Sequence, residues 1–260
     1  MQKVIFFIPV FNEAERLGSV LSRLPKKVLD YETEIVIVDD CSSDHSVQIA
    51  SDFTRHVVVL SENRGVGVAT KVGFEYIVDN FSDGYIVKLD GDGQHELNFI
   101  PEIVRRLKVN DIVVCSRFHP SSDQTNTPVD RILLNMIFTE MLKKITGWDL
   151  TDVRSGFMGL RFAGVKSIAS SMIVERYGIP MEILLRLWHN NPSAVVYEIP
   201  HPAIYGGDIS KKLRNKYSSE KINDKSDRLQ VAYSALLKVI ESLKVPRERI
   251  LKINGFRMVA

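Results

Sequence analysis

Short apolar runs alternate with helix-like stretches through the first 116 residues, and this alternation restricts the fold more than any other property of the chain. Lys3–Pro9, Glu34–Asp39, His56–Leu60, Gly84–Leu89 and Asp111–Ser116 read as strands. Glu13–Arg23, Asp44–Phe53, Gly67–Asn80 and Phe99–Leu107 read as the helices between them. Strands separated by helices are joined by crossovers, and crossovers build a mostly parallel sheet with helices on both faces. The expected fold class is therefore α/β. Ligands of such sheets sit beyond the carboxyl ends of the strands. Pro9, Asp39, Asp90 and Ser116 all fall at those ends, which gathers candidate site residues on one edge.

The most informative of these ends is Asp90-Gly91-Asp92-Gly93-Gln94-His95. Two carboxylates one residue apart, just past a buried strand, can aim hard oxygen ligands at one divalent cation. Gln94 can add an amide oxygen. Magnesium and manganese favour such ligands and share them with substrate phosphates. The alternative is an ordinary Asp-Gly turn, which explains neither the second acid nor Gln94. Asp39-Asp40 closes another apolar strand with two adjacent acids, which suit ribose hydroxyls or a base N–H. The serines that follow suit a helix cap. Pro9-Val10-Phe11-Asn12-Glu13 fits a loop and helix start as well as a ligand contact.

Asn63-Arg64-Gly65-Val66-Gly67 is a glycine-bearing loop with a cation, without the Gly-Lys-Ser/Thr of a Walker loop. Arg117 ends the fifth strand, and Arg131 opens a later helix; both are ambiguous between surface cation and phosphate fork, as is Arg154. His95, His119 and His201 are too scattered in sequence for a zinc site.

Beyond residue 116, His119–Val129 reads as a polar loop and Arg131–Thr146 as an apolar-rich helix. Its wheel puts Leu134, Ile137, Phe138, Met141 and Ile145 on one face and Asn135, Thr139 and Lys143 opposite. That helix suits a core, a dimer contact or a membrane surface, and oligomeric state stays open. Two later strands, Thr151–Leu160 and Val195–Ile199, flank a helix near Met181–His189. Composition divides the chain into 1–205 and a tail, 206–260, with a basic segment and an amphipathic helix at about Arg228–Leu243. The net charge of +2 gives no sign of a nucleic-acid binder. Two cysteines make no disulfide framework, which favours a reducing cytosol. The N-terminal apolar run lacks the length and cleavage site of a signal peptide. No run approaches the roughly 18 apolar residues of a spanning helix. The expected location is cytoplasmic, including the cytoplasmic face of a membrane as a peripheral protein.

Taken in order, Phe7–Glu13, Ile37–Asp44, Asn63–Gly67 and Asp90–His95 resemble the signatures of family 2 glycosyltransferases. Cys115–Phe118, Thr151–Phe157, Tyr177–Glu182 and Glu198–Pro200 are similar to the branch that glycosylates polyprenyl (dolichol) phosphate, with mannose or glucose. The resemblance implies a GT-A type nucleotide-sugar-binding fold and an inverting transfer from a UDP- or GDP-linked hexose to a polyprenyl phosphate. It implies that Pro9, Asn12, Glu13 and Asp40, with Asp39 and Arg64, hold the donor. Asp90, Asp92 and Gln94 would hold Mg2+ or Mn2+, and Arg117 and Arg131 would meet the acceptor phosphate or the sugar diphosphate. Leu97-Asn98 stands where relatives often carry a proline pair, and Met158 where many carry arginine. The spanning helices of some members are absent from these residues, so a lipid acceptor would be reached from the surface.

A phosphate acceptor is an anion already and needs cations rather than a base. Transfer to a sugar hydroxyl, the alternative, needs a base, and Asp92, Asp152 and Glu182 are the candidates. A sugar-1-phosphate nucleotidyltransferase would carry a Gly-rich, Arg-bearing loop after the first strand, where this chain has Pro9–Glu13. A non-catalytic scaffold would have no need of the acids and Gln94.

Overall fold

The computed structural model describes residues 2–125, 127–204, 225–246 and 249. Among the described residues eight strands form one sheet: β1 (Lys3–Val10), β2 (Lys27–Val28), β3 (Tyr31–Asp39), β4 (His56–Val59), β5 (Gly84–Lys88), β6 (Ile112–Ser116), β7 (Met158–Arg161) and β8 (Val196–Pro200). The order runs β3-β1-β5-β7-β6-β8, with β4 and the short β2 both on β3. β4, β3, β1 and β5 pair in parallel, as the crossover helices require. β7 runs antiparallel between β5 and β6, and β6 and β8 are parallel again.

The helices are α1 (Ala14–Ser22), α2 (Ser46–Phe53), α3 (Val66–Asn80), α4 (Ile100–Leu107), α5 (Val129–Thr146), α6 (Phe162–Ile168), α7 (Ile179–Asn190) and α8 (Lys225–Ser242). Strand residues alternate between two apolar layers. Phe6, Ile8 and Val87 point into the layer of α1 and α4, whereas Ile5, Phe7 and Ile86 point into that of α3, α6 and α7. Ala232, Leu236 and Val239 of α8 join the second layer, so this helix shares the core of the chain's first part. The basic stretch from 206 to 224 lies outside the described residues.

Two expectations change here. Thr151–Leu160 is not one strand: only Met158–Arg161 pairs, because 151–157 is bent around buried polar side chains. The wheel of α5 is also turned. Asn135 is buried and donates its amide to the carbonyl of Thr151 at 2.6 Å, while Val129, Leu133 and Met136 are exposed. A hydrogen bond to the neighbouring loop outweighs the apolar preference that a wheel counts.

Candidate active site

The carboxyl ends of β1, β3, β5 and β6 bring the sequence-selected residues to one edge. On one side, the turns after β1 and β3 are stitched together. Asn12 has φ 52°, in the left-handed region that asparagine tolerates. Its N–H donates to Ser42 Oγ at 2.8 Å, and its Oδ1 accepts the Ser43 N–H at 2.8 Å. Glu13 N–H donates to Ser46 Oγ. Pro9 is buried inside β1, one register position from this turn.

The two acids ending β3 divide their work. Asp40 was expected at the nucleoside. Its carboxylate instead accepts the N–H groups of Arg64 (2.8 Å) and Gly65 (2.7 Å) and the Asn63 amide (3.1 Å). Burial raises its pKa against these hydrogen bonds. Asp40 therefore organises the 63–65 loop, with little acceptor capacity left for a ligand. Asp39 is 1% exposed: Oδ1 accepts the Ser42 N–H, and Oδ2 has no hydrogen-bond partner among the described residues. Arg64 is exposed, with its Nε 3.9 Å from Glu62 Oε1.

The amides at the glycine loop are engaged within the protein. The first amides of α3, Gly67 N–H (2.6 Å) and Val68 N–H (3.2 Å), both donate to the carbonyl of Glu175. A Cβ on Gly67 would lie 2.0 Å from the Val174 carbonyl oxygen. Gly67→Ala is therefore expected to destabilise the fold by about 1–3 kcal/mol, measurable as a lower urea midpoint with unchanged slope. Segment 173–176 is itself held by Glu182, whose two oxygens accept Ile173 N–H (2.8 Å) and Val174 N–H (2.9 Å). Arg186 Nε donates to it as well, at 2.7 Å. Glu182 is 1% exposed. The expectation of a catalytic role for Glu182 is corrected: buried and fully engaged, it is a brace for the loop that packs on α3.

Asp90 and Asp92 follow β5. The Asp90 side chain is 38% exposed, with Lys88 Nζ 3.4 Å from Oδ1 and His95 Nε2 3.7 Å from Oδ2. Burial works against its charge, but Lys88 and His95 prevail and hold its pKa below the usual carboxylate range. Asp92 accepts the Gln94 N–H at 3.0 Å. Burial, and then the neighbouring Asp90, push its pKa up to about 7. Two carboxylates that press on each other this way fit a hard divalent cation, and Gln94 follows them in the same turn. Among the described residues no three His, Cys, Asp or Glu side chains close around an ion by themselves.

Beneath this pair lies an aromatic layer that sequence spacing did not reveal. His95 stacks on Phe157 with centroids 4.8 Å apart, and His201 meets both rings edge-on. Backbone donors set the tautomers: Asp90 N–H donates to His95 Nδ1 (3.1 Å) and Glu96 N–H to His201 Nε2 (3.0 Å). Burial lowers both pKa values, that of His95 to about 4. Between the ordinary 6.5 and that value the unfolded chain binds more protons than the folded one, so stability falls as pH drops through this window. Acidifying from pH 6.5 to 5 is expected to cost about 2 kcal/mol through His95. Denaturant titrations at both pH values check this, and His95→Gln is expected to flatten the dependence.

The opposite side is built from β6, α5 and the 151–157 turn. Arg117 grips Asp152 through a fork, Nε to Oδ2 at 2.7 Å and Nη2 to Oδ1 at 3.1 Å. Asp152 is fully buried, so its candidacy as a base gives way to an orienting role. Glu198 anchors this turn by accepting Thr151 N–H, Thr151 Oγ1–H and Asp152 N–H. A small cavity of about 70 Å³ is lined by Arg117, Phe118, Arg131, Asn135 and Arg154. Arg117 and Arg131, expected from sequence at a phosphate, line this cavity together with Arg154.

The sheet edge thus carries an acidic pair after β5 and, on its opposite side, a cavity lined by three arginines. The profile described as Glycosyl transferase family 2 matches residues 5–168, and the chain belongs to that family. An undecaprenyl-phosphate mannosyltransferase of Micrococcus luteus is 27% identical over 190 residues, which are 71% of this chain and 77% of that one. A dolichol-phosphate mannosyltransferase of Pyrococcus furiosus is 29% identical over 245 residues, 87% of this chain and 66% of that one. Among solved structures, a glucosyl-3-phosphoglycerate synthase of Mycobacterium tuberculosis, in complex with Mn2+, uridine diphosphate and phosphoglyceric acid, superposes with TM-score 0.65 at 14% identity. That match covers 94% of this chain and 80% of the other. The protein is a glycosyltransferase with the GT-A fold.

Proposed function

We propose that the protein transfers a hexose, with inversion, from a UDP- or GDP-linked donor to a polyprenyl phosphate, using Mg2+ or Mn2+ held by Asp90, Asp92 and Gln94. One observation carries the choice of acceptor: Arg117, Arg131 and Arg154 line a single small cavity, and Arg117 is fixed there by a buried carboxylate. Such a site receives an anion that has no proton to lose. The relatives named for undecaprenyl-phosphate and dolichol-phosphate transfer support the same reading. Transfer to a sugar hydroxyl is less well supported, because Asp152 and Glu182 are both engaged in buried hydrogen bonds and the remaining candidate base, Asp92, is assigned here to the metal.

The donor's nucleoside would lie over the joined turns after β1 and β3, with Asn12, Glu13 and the Oδ2 of Asp39 nearest. When bound, the divalent ion would neutralise charge on the diphosphate leaving group. Asp90 and Asp92 would orient it, and the arginines would bring the acceptor phosphate against the far face of the sugar. Among the described residues no helix is long and apolar enough to cross a membrane. The location that goes with this reading is cytoplasmic, including the cytoplasmic face of a membrane, where a lipid acceptor would be met from the surface.

A donor panel of UDP- and GDP-linked hexoses tests this. Nucleoside diphosphate release is expected with one donor only when polyprenyl phosphate and Mn2+ or Mg2+ are present. Release that is equal with a hydroxyl acceptor and no lipid phosphate would overturn the assignment.

A further inference from the structure

Lys88 ends β5 with only 2% of its side chain exposed. A lysine inside a sheet is costly unless its ammonium is paired. Here the partners come from both halves of the site. Asp90 Oδ1 lies 3.4 Å away and the carbonyl oxygen of Gly156 3.5 Å away. Gly156 belongs to the turn that presents Asp152 to Arg117. It packs so closely that a Cβ there would stand 2.7 Å from Asp90 Oδ2. With His95 Nε2 at 3.7 Å, Asp90 is wedged between Lys88, Gly156 and His95.

We propose that Lys88 is a resident counter-cation of the metal-binding carboxylates: it holds Asp90 in place between turnovers and weakens the site's grip on a bare divalent ion, so that the ion is retained together with a nucleoside diphosphate. This rests on the metal assignment made above for Asp90 and Asp92. An ion arriving at Asp90 meets a positive charge just behind the ligand oxygen, poorly screened because it is buried. The negative diphosphate offsets that repulsion, so ion and nucleotide bind cooperatively. When both leave after transfer, Asp90 still faces Lys88 and is not stranded as an unpaired charge beside Asp92. Lys88 is thus a positioning residue, acting through Asp90.

The test is a calorimetric titration of the full chain with Mn2+ alone, with Mn2+ and UDP, and with Mn2+ and GDP. The wild type is expected to bind bare Mn2+ weakly and to gain about tenfold or more in affinity with its nucleotide. Lys88→Met is expected to bind bare Mn2+ about tenfold tighter and to lose most of the gain, while Lys88→Arg keeps the wild-type pattern. If Lys88→Met fails to fold by circular dichroism, Lys88→Gln retains a donor for the Gly156 carbonyl, and its comparison with Lys88→Arg reads the same charge. A neutral variant that binds bare Mn2+ no tighter than the wild type overturns the proposal for Lys88 alone. A wild type that binds no Mn2+ even with nucleotide overturns the metal assignment, and this inference with it.

Discussion

Asp92→Asn is expected to lower sugar transfer by about a thousandfold or more, some 4 kcal/mol of transition-state stabilisation, while leaving the thermal midpoint unchanged or slightly raised. The direction on stability follows from the geometry. Asp92 is pressed by burial and by the charge of Asp90, so removing its charge relieves a repulsion. The direction on turnover follows from the proposed chemistry, because an amide is a weaker ligand than a carboxylate where an ion must bridge a diphosphate. Steady-state kinetics with saturating donor and Mn2+, alongside a thermal melt, measure both. Full activity in this variant would remove the basis for the metal assignment.

Arg117→Lys is expected to reduce kcat/KM for polyprenyl phosphate by about a hundredfold and to destabilise the fold by about 1–3 kcal/mol. Lysine keeps the charge but loses the fork that meets both oxygens of Asp152, a carboxylate with no exposure. Arg117→Ala leaves that carboxylate unpaired and is expected to cost about 3–5 kcal/mol. The double change Arg117→Met with Asp152→Leu separates the two effects. It is expected to recover stability, since an apolar pair can replace a buried ion pair, without recovering transfer. Recovery of transfer in the double variant would show that the guanidinium has no part in the reaction.

The branch of the family remains readable even where individual signatures are loose, because the motifs sit at a common edge. Asp39, Asp40, Asp90, Asp92 and Arg117 each follow an apolar strand, and a parallel sheet places such positions on one side. Roles were harder to read than positions. Asp40 and Glu182 carry the same carboxylate as Asp90, yet they brace loops, because the amides of residues 64, 65, 173 and 174 converge on them. His95 and His201 meet edge-on in one aromatic layer although more than a hundred residues separate them.

From sequence alone came the strand and helix alternation, the edge that gathers the candidate site residues, the acidic pair and the resemblance to the family. These are local in origin: hydrophobic period, turn residues and short motifs are written within a few residues of one another. Only the folded chain decided that β7 runs antiparallel, that Asn135 turns inward, that Lys88 lies behind Asp90 and that Arg117 is held by Asp152. Those outcomes depend on which buried polar groups meet across long separations. A buried donor or acceptor takes whatever partner the packing provides, and no spacing along the chain encodes that choice.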